Sequence, residues 1–213
     1  PYVCGQHLNN VVVYTPFFHD GELVAFLAVR AHWIDIGGRP MGFGFSGTRE
    51  VYEEGLQFRS LKLYRREQPN QEIFQIITDN VRFAESSLGD LRAQIAACRV
   101  GDRGLGGLVR RYGLPSFLQC VEKIWQQSEA LAREQVARIE PGEYAAEALF
   151  DSDGVNLDKP VPLKVKVKVA GSDMIIDFSD ISEQVAGSIN SGESGAVAAA
   201  RVAFKSLVAP YSP

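Results

Sequence analysis

Residues 11–33 read VVVYTPFFHDGELVAFLAVRAHW, and this stretch decides the fold class. Val11 to Phe18 is rich in β-branched and aromatic side chains, which suit a pleated strand. His19-Asp20-Gly21-Glu22 follows, and its Asp-Gly pair supplies the chemistry of a tight hairpin turn. Leu23 to Trp33 is then the return strand, and its nearly unbroken apolar character predicts burial on both faces. Gly37-Gly38 ends it.

The hairpin sets what lies beside what. Pairing about a turn at residues 20 and 21 makes opposed positions sum to about 41. His7, just before the first strand, then faces a position within one or two places of His32. Two imidazoles at one end of a hairpin, with Asp35 following, can converge on a metal ion. Spacing alone equally allows two hydrogen-bonded histidines at a strand end. Zinc or manganese also calls for a carboxylate or a third imidazole, which is either Asp35 or a group from outside this chain. His19 belongs to the turn and is set aside.

Beyond the hairpin, residues 37–47 are glycine-rich and include Pro40, so they form a loop, either facing substrate or simply on the surface. From about residue 88 to 138 the period becomes helical. Leu91, Ile95 and Cys98 mark one stripe; Phe117, Val121, Ile124, Trp125, Ser128, Leu131 and Val136 mark another. Strands return at Tyr144–Phe150, Val161–Val169 and Met174–Phe178, and residues 196–208 form a last helix. Lys164, Lys166 and Lys168 alternate with valines, which reads as a half-solvated strand rather than a phosphate site. The fold class is therefore α+β, in three segments: 1–87 β-rich with the histidine hairpin, 88–140 helical, and 141–213 β-rich ending in a helix.

Composition narrows the function. A formal net charge of -4, without clustered basic residues, argues against nucleic-acid binding. No apolar run approaches the roughly 20 residues needed to cross a bilayer, and no signal peptide is visible. Cys4, Cys98 and Cys120 lack CxxC spacing and fit buried, reduced thiols, so a cytoplasmic location is expected. The chain opens on Pro1-Tyr2 and stops at Pro213, and we expect an internal piece of a longer, multi-domain subunit.

Two polar groupings remain. Asp90 and Gln94 share a helix face while Arg92 turns away, a pattern that suits an N-terminal cap and a surface salt bridge. Asp177-Phe178-Ser179-Asp180, with Gln184 and Asn190 in a Gly/Ser-rich run, ends a strand before a helix. It can present polar groups to an anion, or Ser191 and Ser194 can simply cap the helix. Gly44-Phe45-Ser46-Gly47 lacks nucleophile-elbow spacing, and residues 101–107 lack the features of a phosphate loop.

Gly5-Gln6-His7-Leu8-Asn9-Asn10, Thr15-Pro16-Phe17-Phe18-His19-Asp20-Gly21 and Ala31-His32-Trp33-Ile34-Asp35-Ile36-Gly37-Gly38 follow one another as motifs. In that order they resemble the hydantoinase B family, which includes 5-oxoprolinase halves and larger subunits of acetone- and acetophenone-type carboxylases. Glu53-Glu54-Gly55-Leu56, Asn80-Val81-Arg82, Gly89-Asp90-Leu91-Arg92-Ala93-Gln94, Asp151-Ser152-Asp153-Gly154 and Asp177-Phe178-Ser179 continue the likeness along essentially the whole chain.

The resemblance implies metal ligands at His7, His32 and the position of Asn10, plus an acidic residue further upstream. Asn10 departs from the family's aspartate, and an amide is a weaker ligand than a carboxylate. Family likeness further favours a site-lining role for Arg92 or Gln94, so Asp35, Arg92, Gln94 and Asp177 are the candidate catalytic residues. The implied cofactors are a divalent metal, zinc or manganese, and ATP held by a partner. The implied partner is a hydantoinase A type, kinase-like subunit in a hetero-oligomer. The implied activity is ATP-dependent hydrolysis of a cyclic amide, with carboxylation of a ketone or a metal-free scaffold role as alternatives.

Overall fold

The computed structural model describes residues 7–39, 41–42 and 48–208. It has the expected α+β character, with every strand pairing antiparallel. Two compact units make up the chain, Pro1–Tyr112 and Gly113–Pro213. The three sequence segments describe secondary-structure character, whereas the units are packing units. The helical block is shared between them, one long helix to each.

In the first unit β1 (Asn10–His19) and β2 (Glu22–His32) form the hairpin. Asp20 and Gly21 sit at φ 49° and 84°, the paired positive angles of a two-residue turn whose twist matches the strands. A bulge between Phe17 and Phe18 shifts the register by one, so the pairs beyond it sum to 42 as Asn10↔His32 does. A short 3₁₀ turn, Val51–Glu54, and a small hairpin of β3 (Tyr64–Arg65) and β4 (Gln68–Pro69) lead into α1 (Gln71–Asn80). This helix is an addition to the elements anticipated above.

α2 (Ala84–Tyr112) runs for 29 residues, about 43 Å, and lies along one face of the hairpin. Leu91, Ile95 and Cys98 from α2, Ile73 and Ile77 from α1, and Val13, Trp33 and Ile36 from the hairpin and its exit form the core. The other hairpin face stays open. Val12, Tyr14, Phe18 and Phe26 are each about half exposed, and Tyr14 meets Phe26 edge to face at 6.2 Å. β2 is therefore half-buried on one face and exposed on the other, contrary to the expectation from its apolar run. The reason is that a ribbon of two strands with one covering helix buries only alternate side chains.

In the second unit, Gly113 at φ 80° and Pro115 open α3 (Leu114–Val136). A sheet follows in the order β5 (Gly142–Phe150), β6 (Val161–Ala170), β7 (Asp173–Asp177), and then α4 (Glu193–Val208). The lysine stripe of β6 is solvated and charge-matched: Lys168 pairs with Glu143 at 3.4 Å and Lys166 with Asp180. Among the described residues no helix is long and apolar enough to cross a membrane.

Candidate functional site

The histidine pair is built where the chain enters β1. Residues 7–10 make a turn in which the Asn10 N–H donates to the His7 carbonyl at 3.4 Å. Asn9 then fastens this turn to the far end of β2. Its carbonyl accepts from the Trp33 N–H at 3.0 Å, and its side-chain amide donates to the Trp33 carbonyl at 3.2 Å. Asn10 stands opposite His32 in the ladder, so their side chains share a face. The His7 and His32 Nε2 atoms are 3.2 Å apart, with the rings nearly parallel and their centroids 4.9 Å apart. The convergence expected from hairpin register is present.

At this distance the N–H of one imidazole can donate a hydrogen bond to the ring nitrogen of the other. The spacing also suits a shared ion: two nitrogens bound tetrahedrally to zinc at about 2.05 Å lie about 3.3 Å apart. Burial, reinforced by His32 and Arg30, holds the His7 imidazole below its ordinary pKa, although Glu54 pulls the other way. A neutral imidazole is the form that binds metal. Asn10 Oδ1 is buried without a hydrogen-bond partner among the described residues, which leaves an oxygen donor open beside the pair. His7 and His32, with Asn10 opposite His32 in the ladder, are the residues at this end of the hairpin that could hold an ion. Among the described residues no group of three or more His, Cys, Asp or Glu is placed to hold a metal ion.

Asp35 is fully buried and engaged on both oxygens. It accepts from Gly37 N–H at 3.0 Å, Arg82 N–H at 2.5 Å and the Arg82 guanidinium at 3.1 Å. Arg82 also donates to the Gly38 carbonyl, and the Ser87 hydroxyl donates to the Asp35 carbonyl at 2.9 Å. This clamp fixes the exit of β2 and presents Gly37-Gly38 to the 3₁₀ turn. There the backbones touch: a Cβ on Gly38 would lie 2.4 Å from the Glu54 carbonyl oxygen, and one on Gly55 would lie 2.3 Å from that of Ile36. Only glycine permits that approach. Of the adjoining loop, residues 40 and 43–47 lie outside the described residues.

Gln94 is buried at the hairpin's inner face. Its carbonyl accepts from the Trp33 indole at 2.8 Å, and its amide donates to the Val11 and Val29 carbonyls at 2.9 and 3.1 Å. It therefore ties α2 to both strands and to the residue after His32. Arg92, two residues away, is exposed. Asp177, in the second unit, is exposed and accepts from Ser179 N–H at 2.8 Å, a contact that holds its carboxyl below the usual range, with Lys166 adding to the effect.

The structure thus brings His7, Asn10 and His32 together, with Asp35 and Gln94 supporting them from behind. Three residues given no role above prove central to that support: Asn9, Glu54 and Arg82. The Glu-Glu-Gly and Asn-Val-Arg motifs were the signals, but neither spacing indicates a contact. Cys98 is buried, its Sγ 3.6 Å from the Val13 carbonyl, and burial raises its pKa; Cys120 is exposed, and Cys4 lies outside the described residues.

Comparison with known proteins bears on what this arrangement is for. A Pseudomonas sp. protein named as the B component of a D-/L-hydantoinase is 34% identical over 192 residues, covering 87% of this chain and 32% of its own length. The beta component of the Pseudomonas jessenii caprolactamase is 29% identical over 174 residues, covering 81% of this chain and 30% of the relative. The crystal structure of the ATP-dependent caprolactamase from that organism superposes with a TM-score of 0.87 at 26% identity, over 94% of this chain and 34% of that one. Nucleotide-free acetone carboxylase superposes with a TM-score of 0.88 over 98% of this chain and 29% of its own, but at 17% identity that likeness shows the fold alone. The chain spans about a third of the length of these relatives. The model of the hydantoinase B/oxoprolinase family matches residues 1–213, and the chain belongs to that family.

Proposed function

We propose that this chain is part of the B-type component of a cytoplasmic, ATP-dependent cyclic-amide hydrolase. In this reading a kinase-like A-type partner in the hetero-oligomer binds ATP and phosphorylates the amide oxygen. The B-type component then completes hydrolysis. Phosphorylation turns an inert amide oxygen into a leaving group, which is why ATP helps at all. The observation that carries the reading is a family match over the full chain that includes both histidines. Identities of 34% and 26% to hydantoinase- and caprolactamase-named proteins, against 17% to acetone carboxylase, favour hydrolysis over ketone carboxylation.

His7, Asn10 and His32 would hold a divalent ion, zinc or manganese. Bound there, the ion supplies Lewis acidity for the carbonyl or for water. Asp35 and Gln94 act in this reading by positioning, since their polar atoms are occupied. Arg92 and Asp177, both exposed, are the candidates left to touch substrate or partner.

The test is reconstitution of the complete B-type component with its kinase-like partner, ATP and a panel of hydantoins, 5-oxoproline, caprolactam, and acetone with bicarbonate. We expect ring opening coupled to ADP release, with no turnover by the B-type component alone. Carboxylation of the ketone without ring opening would reverse the assignment. Full activity of both His7→Ala and His32→Ala would remove the metal from it.

A further inference from the structure

We infer that Glu54 is the positioning residue for His7, a role that rests on reading the histidine pair as the functional site. Glu54 ends the 3₁₀ turn Val51–Glu54, and its Oε2 accepts from the Leu8 N–H at 2.8 Å across 46 residues of sequence. Leu8 lies between His7 and Asn9. On one side, Asn9 ties the turn to Trp33; on the other, Glu54 ties it to the turn that follows the glycine loop. A hydrogen bond to an ionised acceptor is among the stronger ones, so this second tie is substantial.

A positioning residue must itself be fixed, and Glu54 is. Leu56 N–H donates to the Ile36 carbonyl at 2.8 Å, and Arg39 N–H donates to the Glu53 carbonyl at 2.7 Å. Gly37 and Gly55 form an antiparallel bridge, and the approach of Gly38 to Glu54 leaves no room for a Cβ. The strip 36–39 is in turn held by the Asp35–Arg82 clamp. An uninterrupted set of contacts therefore runs from buried Asp35 through the glycines to Glu54, Leu8 and His7. Without Glu54, the turn that carries His7 keeps its tie through Asn9 and loses the one at Leu8.

The experiment compares wild type with Glu54→Ala, Glu54→Asp and Glu54→Gln in histidine-labelled, metal-free protein. It reads the nuclear Overhauser contact between the His7 and His32 rings and hydrogen exchange at Leu8. Glu54→Gln keeps an acceptor at the same reach and should retain the ring contact. Glu54→Asp keeps the charge but withdraws the oxygen by one methylene. It should lose the contact as Glu54→Ala does, with Leu8 exchange at least tenfold faster in both. An unchanged indole N–H resonance of Trp33 shows that the fold is intact; should Glu54→Ala fail it, the Asp and Gln pair decides. A retained ring contact in Glu54→Asp, or its loss in Glu54→Gln with retention in Glu54→Asp, overturns the positioning role. Titration with Mn²⁺ on the same proteins separates this from the metal reading. At least tenfold weaker binding in Glu54→Asp, with near wild-type binding in Glu54→Gln, is expected. Wild type that binds no Mn²⁺ while Glu54→Asp still loses the ring contact removes the ion and leaves the positioning role standing.

Discussion

The two ends of the β1–β2 hairpin are made in opposite ways. At the closed end, Asp20 and Gly21 reverse the chain between neighbours, and a Cβ on Gly21 would meet nothing within 4 Å. At the open end, where His7 and His32 meet, hydrogen bonds reach across 24, 46, 47, 61 and 83 residues of sequence. The closed end is specified by local backbone preference, and the open end by tertiary structure. The difference teaches that the geometry of the open end depends on contacts with α2, with Arg82 and with the 3₁₀ turn, whereas the closed end needs none of them.

If so, damage at the open end should cost far more than damage at the closed end. The largest effect belongs to Asp35→Ala, which takes a buried acceptor away from two backbone donors and from the partly exposed Arg82 guanidinium. We expect a loss of about 3 kcal/mol in urea unfolding, and loss of the ring contact between His7 and His32. A change under about 1 kcal/mol would mean that the clamp contributes little beyond ordinary surface pairing. Gln94→Leu comes next. It preserves apolar bulk but strips the Trp33 indole of its acceptor, which we expect to cost about 2 kcal/mol. The buried Trp33 indole resonance should shift while that of exposed Trp125 stays. Smallest is Gly21→Ala, where only the strained φ matters and about 1 kcal/mol is expected. The ring contact should survive it. A closed-end substitution that disturbed the histidines would collapse the distinction between the ends.

The same distinction explains what was legible in the sequence. The strands and their turn were readable because β-branched and aromatic content and Asp-Gly chemistry are local, and register placed His7 near His32, while the 7–10 turn and Asn9 complete the approach. The bulge at Phe17/Phe18 escaped notice, yet it displaced the pairing by only one place. Asp35 and Gln94 were recognisable as important, but their spacing could not show that their polar atoms face inward onto Arg82, Trp33 and the strand carbonyls. Glu54 was harder still, because its partner is a backbone N–H, which any residue at position 8 except proline would offer. The solvated face of β2 was misread for a related reason: an apolar run states what could be buried, and only the number of covering layers states what is.

The interlock of Gly38 and Gly55 has a bearing on how relatives are read. Neither position has room for a side chain, because a Cβ on Gly38 would meet the backbone of Glu53 and Glu54, and one on Gly55 that of Ile36 and Gly38. Selection would hold both glycines, together with Asp35, for as long as the protein folds, whether or not the histidines still work. A genome search keyed to the Trp-x-Asp-x-Gly-Gly and Glu-Gly signatures would therefore retrieve sound scaffolds, active and retired alike. In the proposed reading, residues 7, 10 and 32 are where such a search should look to tell one from the other.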